Sequence, residues 1–234
     1  MEASSIRQDL YRRDVTINAL AIQLTAPRPG RLLDFFGGQQ DLDRELIRVL
    51  HANSFIEDPT RIFRAVRFAV RLGFQIEAQT EGYIRHAIAS GIYHRVQADM
   101  GSRPALQTRL RRELKYVLEA HYWRRAIQIL FDLDALQCLH PALHGSPDLW
   151  RQLHLAHRGL TSFNDHHRLA HWCVMLEVII AQVPASGRRD VAAHLQLPAD
   201  AVTRLQQLDT VEARLAEMLP AAVSPSEAYD HLQG

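Results

Sequence analysis

Residues 54–68 read SFIEDPTRIFRAVRF, and they hold the side chains of this sequence best suited to chemistry. Read as a helix, at about 100° per residue, the segment puts Asp58, Arg61, Arg64, Arg67 and Arg71 on one half of the surface. Ile62, Phe63, Val66, Ala69 and Val70 fall on the other half. A row of guanidiniums offers rigid planar donors for phosphate oxygens. An aspartate with an arginine three residues on sets an acceptor beside donors, a combination that can meet the edge of a nucleobase. The pattern suits a site for a nucleoside triphosphate.

Local structure accounts for part of the same pattern without any ligand. Asp58-Pro59 is a helix-start signal, with Asp as N-cap and Pro at the first helical position. Ser54 and Glu57 have capping-box spacing. Arginines opposite an apolar stripe also describe a solvated helix face. The spacing leaves both readings open.

The segment resembles the E-D-x-x-R motif of the tRNA nucleotidyltransferase and poly(A) polymerase family. RRDVTINALA at 12–21 is similar to that family's R-R-D-[FV]-T-I-N-A-L, and DFFGGQQDL at 34–42 to its D-x-x-G-G-x-x-D-L element. The run from Asp34 to Phe74 fits without a gap. The likeness is strong over 5–75 and moderate to about 141, and its details resemble the bacterial type, CCA-, CC- or A-adding and cyanobacterial-like. It implies transfer of a nucleotide from CTP or ATP to a tRNA 3′-hydroxyl without a nucleic-acid template. Carried over by position, it implies that Arg13 and Asp14 face the phosphate and sugar, that Asp58 and Arg61 read the base, and that Arg64 and Arg67 hold the triphosphate. It also places Gly37-Gly38, with Asp34 and Asp41, at a hinge. The alternatives are a non-catalytic RNA-binding module or truncated gene product, and a remnant of a poly(A) polymerase.

The family's catalytic palm carries a D-x-D whose carboxylates hold metal ions, and nothing like it precedes Arg12. The strings Asp41-Leu42-Asp43 and Asp132-Leu133-Asp134 stand elsewhere and read as surface or capping carboxylates. The expectation is therefore a family member without its metal-binding half. It would be inactive alone, with no catalytic residue and no metal ligand in this chain. Magnesium would be held by an N-terminal part or by a separate palm-bearing chain.

The chain has 234 residues, 47% of them hydrophobic, enough for one large domain or two small ones. No apolar run is long enough for a membrane span, and no signal peptide is evident. Cys138 and Cys173 stand alone, which suggests neither a disulfide framework nor a zinc site and fits a reduced, cytoplasmic setting. Net charge is +1, and Lys115 is the only lysine. The basic charge is thus nearly all arginine, as phosphate recognition or a GC-rich genome would each produce.

The predicted fold is mainly α, a multi-helix array following a small α/β remnant of a nucleotidyltransferase palm. Residues 1–52 form that remnant, 53–141 a nucleotide-selecting and RNA-binding helical region, and 142–234 a C-terminal helical region. TINALAIQL and RLLDFF read as a hairpin around TAPRPG, with LIRVL as a further strand. Helices are predicted at about 57–72 ending on Gly73, from Thr80 to about Gly91, from Pro104, and over WRRAIQILFDLDALQCL. More follow to the C-terminus, with loops at 141–147 and 184–188 and with ADAVTRLQQL and TVEARLAEML as a pair.

Two more clusters invite function. Arg109, Arg111, Arg112 and Lys115, with Tyr116 near and Arg103 before them, can meet an RNA backbone or form a solvated face, with Glu113 and Glu119 diluting the charge. Arg109, Arg112 and Lys115 are the expected RNA contacts. Tyr122, Trp123, Arg124 and Arg125 can stack on a nucleotide, although Trp123 reads better as core. Asp165, His166, His167 and His171 have spacing for a metal, but a capping Asp165 and partly buried imidazoles explain them better.

Overall fold

The structure, a computed structural model, describes residues 6–91, 93, 104–163 and 169–218. It is mainly α-helical, as expected. Among the described residues no helix is long and apolar enough to cross a membrane.

The N-terminal part begins with α1 (Ile6–Tyr11) and a 3-10 turn at Thr16–Asn18. β1 (Leu20–Ile22) and β2 (Leu32–Asp34) follow, antiparallel, with Leu20 opposite Asp34 and Ile22 opposite Leu32. This is the expected hairpin. Next comes α2 (Gly38–Asp43), whose entry is gathered by Asp34. That carboxylate accepts backbone N–H bonds from Gly37, Gly38 and Gln39 at 2.8, 2.9 and 2.9 Å. Gly38 is there because of close approach: a Cβ would lie 2.5 Å from the Thr16 carbonyl oxygen. The assignment of Asp41 to the surface is corrected. Asp41 is only 2% exposed, accepts from Thr16 Oγ1 at 2.6 Å, and pairs with Arg48 at 3.0 Å. An aspartate so buried needs these partners. Asp43, Asp132 and Asp134 are exposed.

β3 (Leu46–Ile47) lies where a strand was expected, but its partner was not foreseen. It pairs in parallel with β4 (Gln75–Ile76). The crossover between them holds α3 (Ser54–Glu57) and α4 (Thr60–Leu72). The single helix expected from about 57 is thus two. The ring of a proline disfavours the α region for the residue before it, and Asp58 is extended at φ −146° and ψ 96°. Ser54 is not a cap either; it is the first residue of α3, and its hydroxyl is taken by Arg61. Gly73 closes α4 in a left-handed conformation, φ 75°, as expected of a C-terminal glycine.

Ile62, Phe63 and Val66 are buried and hold α4 against α6 (Pro104–Glu119) and α7 (Trp123–Asp132), while Ala65 and Ala69 pack with Val15 and Ile47. Fully burying one such large apolar side chain is worth about 1.5–3 kcal/mol. α5 (Ala78–Ala89) begins two residues before Thr80, because Glu77 caps it by accepting from the Thr80 N–H at 2.9 Å. α7 stops at Asp132, earlier than expected, where Asp134 turns left-handed (φ 56°) into a 3-10 turn at Ala135–Cys138.

Beyond it lie α8 (Pro147–Phe163), α9 (His171–Ala181), α10 (Ala185–His194) and α11 (Ala199–Met218). The expected pair of helices at the C-terminus is the single helix α11. The break expected at 184–188 shrinks to Pro184 ahead of α10. One apolar core runs from Val49 to Leu205 without interruption at 141/142, since Leu136, Leu139, Leu143 and Leu149 all belong to it. Trp123, 2% exposed, is core, with its ring 6.2 Å from that of Trp150. Cys138 and Cys173 are buried and are not joined in a disulfide.

Candidate functional site

Three pieces of chain converge on one polar cavity of about 470 Å³: the turn at Arg12–Asn18, the start of α4, and one face of α6. Arg12, Arg13, Arg61, Arg64, Arg109 and Arg112 line it together with Asp14, Asp58, Glu113, Asn18 and Thr60. The break at Asp58-Pro59 is what opens α4 toward this space. Asp58 leaves the helix path, and its Oδ1 accepts from the Thr60 N–H at 3.0 Å and from the Thr60 hydroxyl at 2.6 Å. Its Oδ2 pairs with Arg109 at 3.0 Å. Arg61 is steered by the Ser54 hydroxyl at 2.6 Å and the Arg12 carbonyl at 3.3 Å. Asp58 and Arg61 are thereby each held by hydrogen bonds on the lining of one cavity.

The floor is a lattice of alternating charge. Asp14 Oδ2 meets Arg64 Nε and Nη2, each at 2.7 Å. Arg64 Nη1 meets Glu113 Oε1 at 3.0 Å, and Glu113 Oε2 meets Arg67 Nε at 2.8 Å. Burial alone would raise the Asp14 carboxyl. The Arg64 charge, the Asn18 amide and the backbone N–H of Val15 outweigh it and hold the group below the usual carboxylate range. Burial likewise works against the charge of Arg64, but Asp14 and Glu113 overcome it and hold its pKa above the ordinary value. The carboxylates thus cancel part of the positive field at the floor. Arg12, Arg13 and Arg112 remain exposed around the rim.

Of the expected nucleotide residues, Arg13, Asp14, Asp58, Arg61 and Arg64 come together here. Arg67 does not line the cavity. It is 8% exposed and packs beneath, against Glu113 and over the Phe68 ring at 4.6 Å. Arg109 and Arg112, expected RNA contacts, also line this cavity. Lys115 does not; it lies 3.7 Å from Glu119 and over the Trp172 ring. Arg111 faces away and donates to the Gln196 carbonyl, bolting α6 to the turn before α11. Glu113 was expected to dilute surface charge. It is 1% exposed and holds two arginines. Its role, and those of Arg12 and Asn18, rest on long-range or cross-turn packing that spacing does not reveal. The Asp-Pro-Thr string could have pointed to Thr60, since a Thr two residues after a capping Asp is placed to reinforce it.

Arg103, Asp165, His166 and His167 lie outside the described residues. His171 Nε2 meets His157 Nδ1 at 2.9 Å beside Trp123. Among the described residues no three His, Cys, Asp or Glu side chains are placed to hold a metal. The cavity carboxylates Asp14, Asp58 and Glu113 are each engaged by arginine. A magnesium ion would have to displace those guanidiniums, so these residues do not fit it.

A family model described as the poly A polymerase head domain matches residues 1–48. The A-adding tRNA nucleotidyltransferase of Deinococcus radiodurans is 31% identical over 218 residues, covering 86% of this chain and 48% of that protein. That of Geobacter sulfurreducens is 38% identical over 190 residues, covering 80% of this chain and 21% of that protein. Among solved structures, a CCA-adding enzyme in complex with ATP shares the fold at a TM-score of 0.79 and 32% identity, over 100% of this chain and 54% of that one. The Thermotoga maritima CCA-adding enzyme complexed with tRNA gives 0.75 and 30%, over 97% and 56%. The chain spans less than half the length of these curated relatives. Motifs, fold and relatives agree: the chain belongs to the tRNA nucleotidyltransferase and poly(A) polymerase family.

Proposed function

We propose that this chain is the nucleotide-selecting and RNA-binding portion of a tRNA nucleotidyltransferase, taking CTP or ATP for addition at a tRNA 3′ end. The observation that carries the reading is the cavity itself, where Asp58 and Arg61, each anchored by its own hydrogen bonds, adjoin a rim of exposed arginines. Asp58 accepts from the exocyclic amino group of cytosine or adenine, and Arg61 donates to the neighbouring ring nitrogen or carbonyl. Uracil lacks that amino donor. The exposed Arg12, Arg13 and Arg112 receive the triphosphate, with bidentate geometry open to a guanidinium, and Arg64, anchored by Asp14 and Glu113, contributes the N–H donors that those carboxylates leave. Arg67 acts from below, by fixing Glu113 and through it Arg64.

In the reaction, the RNA 3′-oxygen bonds to the α-phosphorus and the bond to the β-phosphate oxygen breaks. Pyrophosphate leaves and the hydroxyl proton is released. The cavity orients the nucleotide for that displacement and balances its charge. The cavity carboxylates Asp14, Asp58 and Glu113 are committed to arginines. That commitment favours a second reading, a module that binds nucleotide and RNA without turnover. Solved relatives described in complex with ATP, CTP and tRNA support the choice of ligands.

Calorimetric titration with the four ribonucleoside triphosphates tests the selection. CTP and ATP are expected to bind more tightly than UTP, and Arg61→Ala is expected to narrow the difference. Equal affinity for all four in the unaltered chain overturns the assignment. Incubation with nucleotide, magnesium and a trimmed tRNA then separates turnover from binding.

A further inference from the structure

A second cavity of about 300 Å³ lies against the first, and Arg12 and Arg61 line both. The Arg61 Nη2 bond to the Arg12 carbonyl, at 3.3 Å, belongs to the wall they share. The other contributors are Tyr11, His51, Ala52, Asn53 and Glu57. Tyr11 is 47% exposed, yet its ring is held in place. The His51 ring lies 5.1 Å from it at 30°, and the Phe36 ring 5.9 Å away at 42°. Asn53 precedes α3 without capping it by a side-chain bond, and the residue is exposed. Glu57 is exposed and lies 3.9 Å from His51.

An exposed aromatic surface with an amide, a carboxylate and a guanidinium around it has the composition of a nucleobase site. The ring supplies a stacking surface, and the polar groups meet a base edge. A bare phosphate would be opposed by Glu57. The position also matters. Phosphodiester formation joins the incoming nucleotide to the last nucleotide of the acceptor, so the two must lie in contiguous spaces, and these cavities share Arg12 and Arg61. We infer that this second cavity receives the 3′-terminal nucleobase of the RNA acceptor, stacked on Tyr11 with its edge toward Asn53 and Glu57. The inference rests on the nucleotide reading of the first cavity, and it assigns Tyr11 to RNA rather than to the incoming nucleotide.

The test uses a 5′-fluorescent RNA hairpin with a single-stranded 3′ overhang, ending either in cytidine or in an abasic residue. Anisotropy gives its affinity for the whole chain, and calorimetry gives CTP and ATP affinities in parallel. The cytidine end is expected to bind about tenfold more tightly than the abasic end, within the range that base–aromatic stacking supplies. Tyr11→Ala should erase that ratio, Tyr11→Phe should retain it, and both should leave CTP and ATP affinities unchanged. Undiminished discrimination in Tyr11→Ala, with nucleotide binding intact, overturns the platform and spares the nucleotide reading. Weakened CTP or ATP binding in Tyr11→Ala also overturns it, by giving the ring to the first cavity. If the unaltered chain binds neither triphosphate nor hairpin, the nucleotide reading fails and the platform fails with it.

Discussion

Glu113 and Leu114 are neighbours on α6, almost equally buried, and they face different regions of the molecule. Glu113 looks toward the arginine cavity, where it joins Arg64 and Arg67. Leu114 looks into the apolar core with Leu110, Val117 and Leu118. The core tolerates imperfect partners, because dispersion and burial are non-directional. The lattice does not, because a buried charge without its counterion keeps its full desolvation cost. One region loses stability with the volume removed from it; the other loses it when a single charge is removed and its partner is left behind.

The largest expected effect separates these two faces. Glu113→Ala leaves Arg64 and Arg67 without their shared carboxylate and should cost about 3–5 kcal/mol of stability. Leu114→Ala should cost about 2–5 kcal/mol through a cavity. Urea midpoints give both values. At temperatures where each variant remains folded, only Glu113→Ala should weaken triphosphate binding, because only it releases Arg64. A matching loss in Leu114→Ala would erase the distinction between the faces. Next is Gly38→Ala, whose Cβ would meet the Thr16 carbonyl at 2.5 Å. It should lose about 1–3 kcal/mol, measured in the same way, and a neutral result would mean that the turn holding Asp41 can yield. Thr60→Val removes the hydroxyl that holds Asp58 and should cost about 0.5–1.5 kcal/mol. Its clearer signature is reduced discrimination of CTP and ATP against UTP.

The smallest effect is in pH, and it sharpens the comparison from the core side. His157 is held below its ordinary pKa of 6.5 by burial, then by Arg124, His171 and His154. His171 is lowered by burial despite the Leu118 carbonyl and Glu119, and His194 by burial alone. In this window the unfolded chain binds more protons, so stability rises with pH. The contribution is complete above about 6.5 and is lost as pH falls toward the folded values. Asp14, held low by Arg64, has its stabilisation in place above 3.8 and loses it only under stronger acid. Melting temperature against pH should therefore show two separate declines, and His157→Gln should flatten only the upper one.

Much of this was legible from short-range signals. The hairpin around TAPRPG, the glycine stop at Gly73 and the helix from Pro104 depend on local backbone preferences, and all three are found. The meeting of Arg13, Asp14, Asp58, Arg61 and Arg64 was legible only through resemblance, since it joins segments far apart in sequence. What stayed hidden depends on tertiary packing. Arg67 shares a helix face with Arg64 by periodicity, yet α6 covers it and Glu113 claims it. The parallel pairing of Leu46–Ile47 with Gln75–Ile76 involves two residues on each side, too short for any alternation to register. Asp41 shares its string with an exposed Asp43, and only the fold distinguishes their environments.

The packing of Trp123 on Trp150 has a spectroscopic consequence. The three tryptophans are Trp123, Trp150 and Trp172. All pack in or against the apolar core, and none lines either arginine-bearing cavity. Intrinsic indole emission therefore observes one side of α6 and is blind to direct contact on the other. A ligand that fills the arginine cavity without disturbing the helix should leave the emission spectrum unchanged. If emission shifts on titration, the disturbance has crossed α6 from Glu113 to the Trp123 side, and the unlabelled protein reports it.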